Sequence, residues 1–372
     1  MGQPFKLLIN GLHAKTGGGV TYLRNLLPFF AADESVETHF CIHESQSDAF
    51  SDVFDGIVVH TLSFKSGFWR LPVYEQLLVP RLARNISATV TFSPANYGPL
   101  FSPGQITMLR NALGVAFVEK RISKIPYWLI VYVATALSLM CSRKVIAVSD
   151  FITRTTGKIV PEIYANKFLV IKHGVSDLYS PPKDGQLRES FILAVSDIYV
   201  QKNYRSLLLA IDKMKRNHPN VLIKIAGRKL DQGHYNELQK IIVDLQLQDN
   251  VSFLGSVSQN ELSDLYRRCK LFVFPSLVES FGNPLVEAMA SGAPVVTSNK
   301  TAMPEIVGSA AVFFDPNNIS EMTSVLERVY EDESLRLSLS EKSLKRSKLF
   351  SWSKTAQATM EVIKNVASEN SK

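Results

Sequence analysis

The stretch that most constrains the fold of this chain is 271–305, LFVFPSLVESFGNPLVEAMASGAPVVTSNKTAMPE. It opens with an apolar run of buried-strand length, Leu271–Phe274, and continues into a loop rich in Ser, Gly, Asn and Pro. Pro284 suits the first position of a helix and Gly292 suits its end, and Ala293–Ser298 then has the pattern of a second buried strand. A strand–helix–strand unit of this kind predicts a parallel sheet.

Two carboxylates flank the start of the predicted helix. Glu279 lies in the loop before it, and Glu287 lies about one turn inside it. A helix start attracts phosphate through its free N–H groups and its positive dipole end, and carboxylates accept hydrogen bonds from sugar hydroxyls. The arrangement suits a ligand with phosphate between two sugars. For two isolated glutamates, a solvated loop charge and an ordinary helix charge would be the simpler interpretation.

The surrounding residues favour the ligand site. FPS before Glu279, FGNP between the two glutamates and EAMASGAPVV after them together resemble the donor-site signature of the family 4 retaining glycosyltransferases, which are group 1 glycosyltransferases. The resemblance implies two Rossmann-like, doubly wound parallel-sheet α/β domains that face each other across a cleft, the GT-B fold. It implies that Glu279 holds the transferred sugar, that Glu287 holds the ribose, and that the donor diphosphate meets the loop residues Ser280, Phe281, Gly282, Asn283 and Leu285.

Two cations of the second domain belong to the same expectation. After a predicted strand, Phe191–Val195, the sequence SDIYVQKNY resembles the turn in which a family lysine grips the donor diphosphate, and Lys202 occupies that place. An arginine often stands five residues earlier, where this chain has Asp197. Arg228 follows the next predicted strand, Val221–Ala226, and is a second candidate cation for the diphosphate.

The first domain contributes a glycine-rich turn and an arginine. Gly17, Gly18 and Gly19 follow the predicted strand Phe5–Asn10, and glycines let a backbone approach a ligand closely. They do not form GxGxxG, so a nicotinamide-dependent oxidoreductase is not supported; the resemblance places them at the donor phosphates. Arg110 stands where many family members carry a histidine. It would act as a cation near the developing phosphate charge, or mark a weakened site.

Composition and a Pro- and Gly-containing linker divide the chain into domains. With 46% hydrophobic and 20% charged residues, a globular enzyme is expected. His173-Gly174-Val175 resembles the family's interdomain hinge, and a Pro- and Gly-containing linker follows at 181–185. The linker predicts domains at 1–178 and 186–350. The resemblance implies that the first binds the acceptor, that the second binds the nucleotide sugar, and that a final helix at 351–372 crosses back to the first domain.

The positive charge is concentrated in the first domain. Between His60 and Val160 the sequence has twelve Lys or Arg against three acids, Glu75, Glu119 and Asp150. Such an excess favours an anionic partner, either a membrane phospholipid or a lipid-phosphate carrier. A nucleic-acid partner is not expected, because no nucleic-acid-binding motif accompanies the charge.

An uncharged segment, IPYWLIVYVATALSLMCS, lies between Lys124 and Arg143. Its length touches the lower limit for a membrane span, but a helix that faces the core is the preferred interpretation. A third interpretation, between these two, is a helix that lies in the lipid interface, because Lys120, Arg121 and Lys124 neighbour two aromatic residues. We expect peripheral attachment to an anionic membrane. The short N-terminal apolar run and three unclustered cysteines predict a cytoplasmic location without structural zinc.

The sequence therefore predicts a retaining, metal-independent hexosyltransferase that uses a nucleoside diphosphate sugar and a saccharide or lipid-linked saccharide acceptor, as in surface polysaccharide biosynthesis. Its catalytic residues would be Glu279, Lys202 and Arg110. No cofactor is expected, and no Asp-x-Asp triplet suggests a metal. The alternative is a non-catalytic nucleotide-sugar-binding subunit of a polysaccharide assembly complex. The sequence leaves the base, the sugar and the acceptor open.

Overall fold

A computed structural model gives the structure of the protein and describes residues 4–15, 17–65, 67, 70–110, 114–118, 125–182 and 188–370. The basic residues Lys120, Arg121 and Lys124, and the linker residues Asp184 and Gly185, lie outside the described residues.

The chain divides into two compact units. The first unit comprises, as far as they are described, 1–113, 121–174 and 351–372, and the second comprises 114–120 and 175–350. The chain leaves the first unit between Gly174 and Val175, within the stretch that resembles a hinge, and returns to it at Ser351.

The first unit contains a seven-stranded sheet. In the described residues its strands are β1 Phe5–Asn10, β2 Val36–His43, β3 Val58–Leu62, β4 Val90–Ser93, β5 Ile106–Leu109, β6 Lys144–Ala147 and β7 Phe168–Val170, in the order β3-β2-β1-β4-β5-β6-β7. The helices of this unit are α1 Gly18–Ala31, α2 Ser47–Phe50, α3 Arg70–Asn85, α5 Ile125–Cys141, α6 Asp150–Thr156 and α14 Trp352–Asn370.

The second unit contains a six-stranded sheet. In the described residues its strands are β8 Phe191–Val195, β9 Leu222–Ala226, β10 Val251–Gly255, β11 Leu271–Phe274, β12 Val295–Ser298 and β13 Ala311–Phe314, in the order β10-β9-β8-β11-β12-β13. Its helices are α4 Val115–Val118, α7 Tyr204–Lys215, α8 Gln232–Asp244, α9 Gln259–Arg268, α10 Asn283–Ala290, α11 Met303–Val307, α12 Ile319–Glu331 and α13 Glu333–Ser347.

Every strand pairing in the described residues is parallel, which confirms the predicted pair of Rossmann-like α/β domains. The strand order reverses once in each sheet, beside β1 and β4 in the first and beside β8 and β11 in the second. At such a switch point the connections leave in opposite directions, so a crevice opens outside the carboxyl ends of the two strands, where ligands bind.

Helix α5 differs from the prediction that it faces the core. Its buried side consists of Val131, Thr135, Ser138 and Leu139, whereas its larger apolar side chains are exposed: Ile125, Leu129, Ile130, Tyr132, Val133, Leu137 and Met140. The inner side docks through hydroxyls, since Ser138 Oγ contacts both the N–H (3.1 Å) and the carbonyl (3.2 Å) of Gly98. Within the described part of the chain, no helix has the length and apolarity that crossing a bilayer would require.

Helix α14 packs on the first unit through specific contacts. Thr355 Oγ1 donates to the Lys172 carbonyl at 2.7 Å, and the ring of Trp352 stacks on His173 with centroids 5.7 Å apart. Gly174 adjoins this contact so closely that a Cβ there would lie 2.1 Å from the Trp352 nitrogen and 2.5 Å from the Ser351 carbonyl carbon. The last helix is thus fixed to its unit beside Gly174, where the chain passes into the second unit.

We predict that Gly174→Ala lowers the free energy of unfolding by at least about 2 kcal/mol, because the added methyl meets backbone rather than a movable side chain. Denaturant unfolding monitored by Trp fluorescence measures the change. Gly157→Ala is the control, since its Cβ would meet only the Phe168 ring, at 4.0 Å. Equal stability of the two variants would show that α14 does not depend on this contact.

Candidate active site

Lys202 and Glu279 meet at the switch point of the second sheet. Lys202 ends a short 3₁₀ turn, Val200–Lys202, in the connection after β8, and Glu279 lies in the loop after β11. Lys202 Nζ donates to Glu279 Oε1 at 2.6 Å, and the two side chains are 18% and 13% exposed. A strong ion pair therefore stands at the carboxyl edge of adjacent parallel strands, where ligands bind.

Backbone contacts hold the two loops in register. Asn203 adopts a left-handed conformation (φ 58°) that turns the chain from Lys202 into α7. Its buried amide donates to the carbonyls of Pro275 (3.2 Å) and Pro316 (2.9 Å), and the Leu277 amide donates to the Gln201 carbonyl (2.8 Å). The cation and the carboxylate are therefore positioned by the backbone before any ligand binds.

Helix α10 begins where the sequence predicted a phosphate site. Gly282 precedes it with φ 91°, a left-handed conformation that favours glycine, and Pro284 lies in its first turn. Leu285, expected among the diphosphate-binding residues, already donates its amide to the Gly282 carbonyl at 2.9 Å. This short-range bond tightens the first turn, so the amide of Leu285 is already hydrogen-bonded within the helix.

Glu287, one turn inside α10, is half-buried. The Tyr266 hydroxyl donates to its Oε2 at 3.1 Å. Burial raises the pKa of the Glu287 carboxyl to about 7, and the hydrogen bond from Tyr266 opposes that rise. Near neutral pH this carboxyl therefore exchanges readily between its ionised and protonated forms.

Arg228 reaches the same sheet edge and pairs with Asp197. The guanidinium donates from Nε to Oδ1 (3.0 Å) and from Nη2 to Oδ2 (2.5 Å), and the Arg228 amide also donates to Oδ1 (2.9 Å). Burial raises the pKa of Asp197, but the hydrogen bonds from Arg228 outweigh it, so the pKa lies below its ordinary range. A guanidinium is thus present beside position 197, although the sequence has an aspartate there.

In the first unit, Arg110 lies against the glycine-rich turn. Gly17 precedes α1 with φ 61°, and α1 begins at Gly18. A Cβ on Gly19 would lie 2.3 Å from Arg110 Nη2, so a larger residue here would displace the guanidinium from this position. Burial lowers the pKa of Arg110 to about 10, which leaves it charged at neutral pH beside the positive end of a helix. Both features attract an anion.

Among the described residues, no three His, Cys, Asp or Glu side chains are grouped so that they could hold a metal ion.

Comparison with known proteins assigns the second unit. Residues 180–346 match the family model of the glycosyl transferases group 1. This part of the chain belongs to that family. The structure also resembles that of the Anabaena HepE protein, which was crystallised with UDP and glucose, at a TM-score of 0.78 with 18% identity over 97% of this chain and 99% of that one. At this identity the likeness concerns the fold, and it confirms the predicted GT-B fold.

Curated relatives of this group 1 glycosyl transferase domain include mannosyltransferases. The serotype-specific mannosyltransferase WbdA of Escherichia coli is 29% identical over 61% of this chain and 28% of its own length. The MMP alpha-(1->4)-mannosyltransferase of Mycolicibacterium hassiacum is 28% identical over 68% of this chain and 58% of its own length. The chain thus spans only about a quarter of the WbdA proteins that it matches.

A second polar cluster was not predicted from the sequence. At the switch point of the first sheet, Glu75 is completely buried and contacts Asn10 (2.6 Å) and His13 (3.0 Å). Its position in α3 contained a signal, because Leu71, Glu75 and Val79 follow one another at intervals of four residues and all three are buried. A carboxylate within such an apolar stripe indicates a functional or structural network.

The group 1 domain should show pH-dependent stability caused by Glu287. Its folded pKa of about 7 exceeds the ordinary 4.5, so the favourable contribution is complete below pH 4.5 and is lost as pH rises through 7. The difference amounts to about 3 kcal/mol. We predict that Glu287→Gln raises the free energy of unfolding at pH 8 and changes it little at pH 4.5.

Denaturant unfolding of wild type and variant at both pH values tests this. The matched control is Glu341→Gln, which alters an exposed glutamate of α13. An unchanged pH dependence in Glu287→Gln would mean that the Glu287 carboxyl is ionised in the folded protein without cost.

Proposed function

We propose that the chain is a retaining, metal-independent glycosyltransferase that moves a hexose-type sugar from a nucleoside diphosphate to a saccharide or lipid-linked saccharide. The observation that carries the proposal is the 2.6 Å contact between Lys202 Nζ and Glu279 Oε1, beside the start of α10. This contact puts a cation for the departing diphosphate next to a carboxylate for the hydroxyls of the transferred sugar. The proposed donor is the nucleotide sugar that the family resemblance implies.

In the proposed step, the acceptor oxygen bonds to the anomeric carbon while the bond from that carbon to the diphosphate oxygen breaks. The acceptor proton passes to the departing phosphate oxygen, and attack on the same side of the sugar retains the configuration. Lys202 and the dipole of α10 stabilise the charge that builds on the diphosphate, so the proposal requires no metal. Glu279, oriented by Lys202, accepts hydrogen bonds from the sugar, and Glu287 accepts them from the ribose.

Arg228 supplies the second cation of the proposal. In the absence of a ligand, the charge of its guanidinium is neutralised by Asp197. A bound diphosphate would share the guanidinium with that carboxylate. The non-catalytic alternative drew support from the aspartate at position 197. Because a guanidinium lies within 2.5 Å of that aspartate, this support is weaker, and we favour the enzyme.

The names of the relatives suggest a biosynthetic role and a donor. WbdA and the RfbU protein of Salmonella typhimurium, an O-antigen chain mannosyltransferase, are named for mannosyl transfer. We extend this to a role for the chain in surface polysaccharide biosynthesis, with a nucleoside diphosphate mannose as the first donor to test.

We predict that the purified protein releases nucleoside diphosphate from one of UDP-glucose, GDP-mannose and ADP-glucose, equally with and without EDTA. Glu279→Gln and Lys202→Met should each lower the rate at least about a hundredfold, because each removes charge complementarity from the transition state. Product anomer analysis by NMR then tests retention. The matched control is Lys213→Met, at the far end of α7, where Nζ donates to Ser320 Oγ at 2.9 Å.

Donor binding without release, even with lipid-linked saccharide acceptors added, would favour the non-catalytic subunit. Loss of activity with EDTA, restored by a divalent cation, would contradict the metal-independent step.

We further propose that the protein attaches to the cytoplasmic face of an anionic membrane through one surface of its first unit. This surface, which we call the α3–α5 surface, consists of six exposed apolar residues: Val73, Leu77, Phe101, Leu129, Val133 and Leu137. Exposed apolar side chains of this size, grouped together, are typical of an interaction site.

Three hydrogen bonds support the grouping. Gln76 in α3 donates to the Gly98 carbonyl (3.0 Å) and accepts from the Leu100 amide (2.9 Å), and Ser138 in α5 contacts the same Gly98. The exposed residues Leu77, Phe101 and Leu137 each adjoin one of these bridging residues in sequence. Both helices thus contact the segment at Gly98–Leu100, and the proposed surface extends over all three.

Charge complementarity favours an anionic bilayer as the partner. Glu75 is fully buried and Arg110 largely so, and the remaining eleven basic residues of this region still outnumber its two other acids. Apolar side chains that enter the lipid interface beside basic residues that stay in the head-group layer give additive affinity.

We predict that the protein cosediments with vesicles of phosphatidylcholine and phosphatidylglycerol (7:3) but weakly with phosphatidylcholine alone. Leu129→Ser combined with Leu137→Ser should lower binding at least about tenfold, since each leucine is worth 1.5–3 kcal/mol when it is fully buried. Leu337→Ser is the control, because Leu337 is 62% exposed like Leu129 but lies in α13 of the other unit. Equal binding of all variants would contradict the α3–α5 surface.

A further inference from the structure

The first unit has a polar cluster at its own switch point that the proposed transfer chemistry does not use. Asn10 ends β1, Ser93 ends β4, and Glu75 comes from α3, which precedes β4. Asn10 Nδ2 donates to Glu75 Oε1 at 2.6 Å and to Ser93 Oγ at 3.2 Å. The cluster therefore spans the two strands between which the strand order reverses, and ligands of doubly wound sheets bind there.

Glu75 is a buried carboxylate, and only one of its two oxygens has a hydrogen-bond partner among the described residues. Its side chain is 0% exposed, and Oε1 accepts a hydrogen bond from Asn10 Nδ2 and contacts His13 Nε2. Oε2 is buried without a hydrogen-bond partner among the described residues. A buried carboxylate oxygen without a donor is costly, so such an arrangement is stable where a ligand hydroxyl or a bound water completes it.

His13 connects this carboxylate to the surface. Its Nε2 lies 3.0 Å from Glu75 Oε1, and its side chain keeps 12% of its surface exposed. An ionised Glu75 requires a proton on Nε2, so in the neutral ring Nδ1 is the hydrogen-bond acceptor. No hydrogen bond involves Nδ1 within the described parts of the chain.

The loop that bears His13 is held rigidly. The buried amide of Gln46 donates to the carbonyls of Gly11 and Ala14, each at 2.9 Å, and Asn10 Oδ1 accepts from the Leu12 amide at 3.3 Å. The ring of Tyr97 meets His13 edge to face, with centroids 4.8 Å apart. The histidine is thus fixed on both flanks, as a preorganised binding residue is.

We propose that His13, positioned by Glu75, binds a hydroxyl group of a saccharide at the switch point of the first unit. The ligand class follows from the chemistry of the cluster. An imidazole acceptor, a carboxylate oxygen that lacks a donor and an aromatic ring suit a neutral ligand with several hydroxyls and apolar C–H faces. That this saccharide is the acceptor of the transfer rests on the proposed function; the binding itself does not.

Saturation-transfer NMR with methyl α-D-mannopyranoside and methyl α-D-glucopyranoside tests the proposal. Wild type should bind at least one probe. His13→Gln keeps an amide nitrogen where Nε2 meets Glu75 but removes Nδ1, so we expect the dissociation constant to rise on the order of tenfold with thermal stability unchanged. His13→Asn, which keeps a polar atom near Nδ1 instead, should lose less affinity.

A purely structural role would give the opposite order. His13→Gln would then behave as wild type, and His13→Asn would lower stability without a selective loss of saccharide. Glu75→Gln should weaken the probe signal as well, because it no longer fixes the protonated nitrogen of His13. His60→Gln, which alters a histidine of β3 that contacts His39, is the matched control and should leave the probe signal unchanged.

Two further measurements keep this proposal distinct from the proposed function. UDP and GDP binding should be unchanged in His13→Gln, and Glu279→Gln should leave the probe signal unchanged. If no nucleotide binds but the probe signal depends on His13, the saccharide site stands and the transferase proposal fails. If wild type binds neither probe, or if His13→Gln binds as wild type does, the saccharide site is overturned.

Discussion

Parallel pairing of the strands is the constraint on which both candidate sites depend. Because each strand enters its sheet in the same direction, every connection that leaves a carboxyl end returns over a face, and polar loop residues collect at one edge. The loops after β8 and β11 thereby bring Lys202 to Glu279, although 77 residues separate them. The same geometry in the first unit brings His13 to Glu75, across 62 residues.

The charged and polar groups at these edges are paired before any ligand arrives. Lys202 contacts Glu279, Arg228 contacts Asp197, and His13 contacts Glu75. An isolated charge at a partly buried edge would lose hydration without compensation. In a pair, the attraction between the two groups offsets part of the lost hydration free energy and keeps each group in one orientation. A phosphate or a hydroxyl then exchanges partners with a pair that is already aligned, so little reorganisation opposes binding.

The orientation of α5 follows from what its inner side must contact. Thr135 and Ser138 are small and carry hydroxyls, which lets the helix approach the Gly98 backbone closely and satisfy its polar groups. Larger apolar residues are excluded from that close contact and therefore face outward. An outward apolar side is typical of an interaction site, and the basic excess of the same unit supports the anionic membrane that we propose as its partner.

The sequence by itself determined the strand runs, the helix starts and stops, and the parallel architecture, because these depend on local periodicity and on residues such as Gly282 and Pro284. It also singled out Lys202 and Glu279, through two separate stretches that resemble family motifs. Only the tertiary structure decided that Arg228 pairs with Asp197, that Glu75 is buried beside His13, and that α5 presents its larger apolar side chains outward. Those outcomes depend on contacts between residues distant in sequence, and periodicity carries no information about which distant partner a side chain meets.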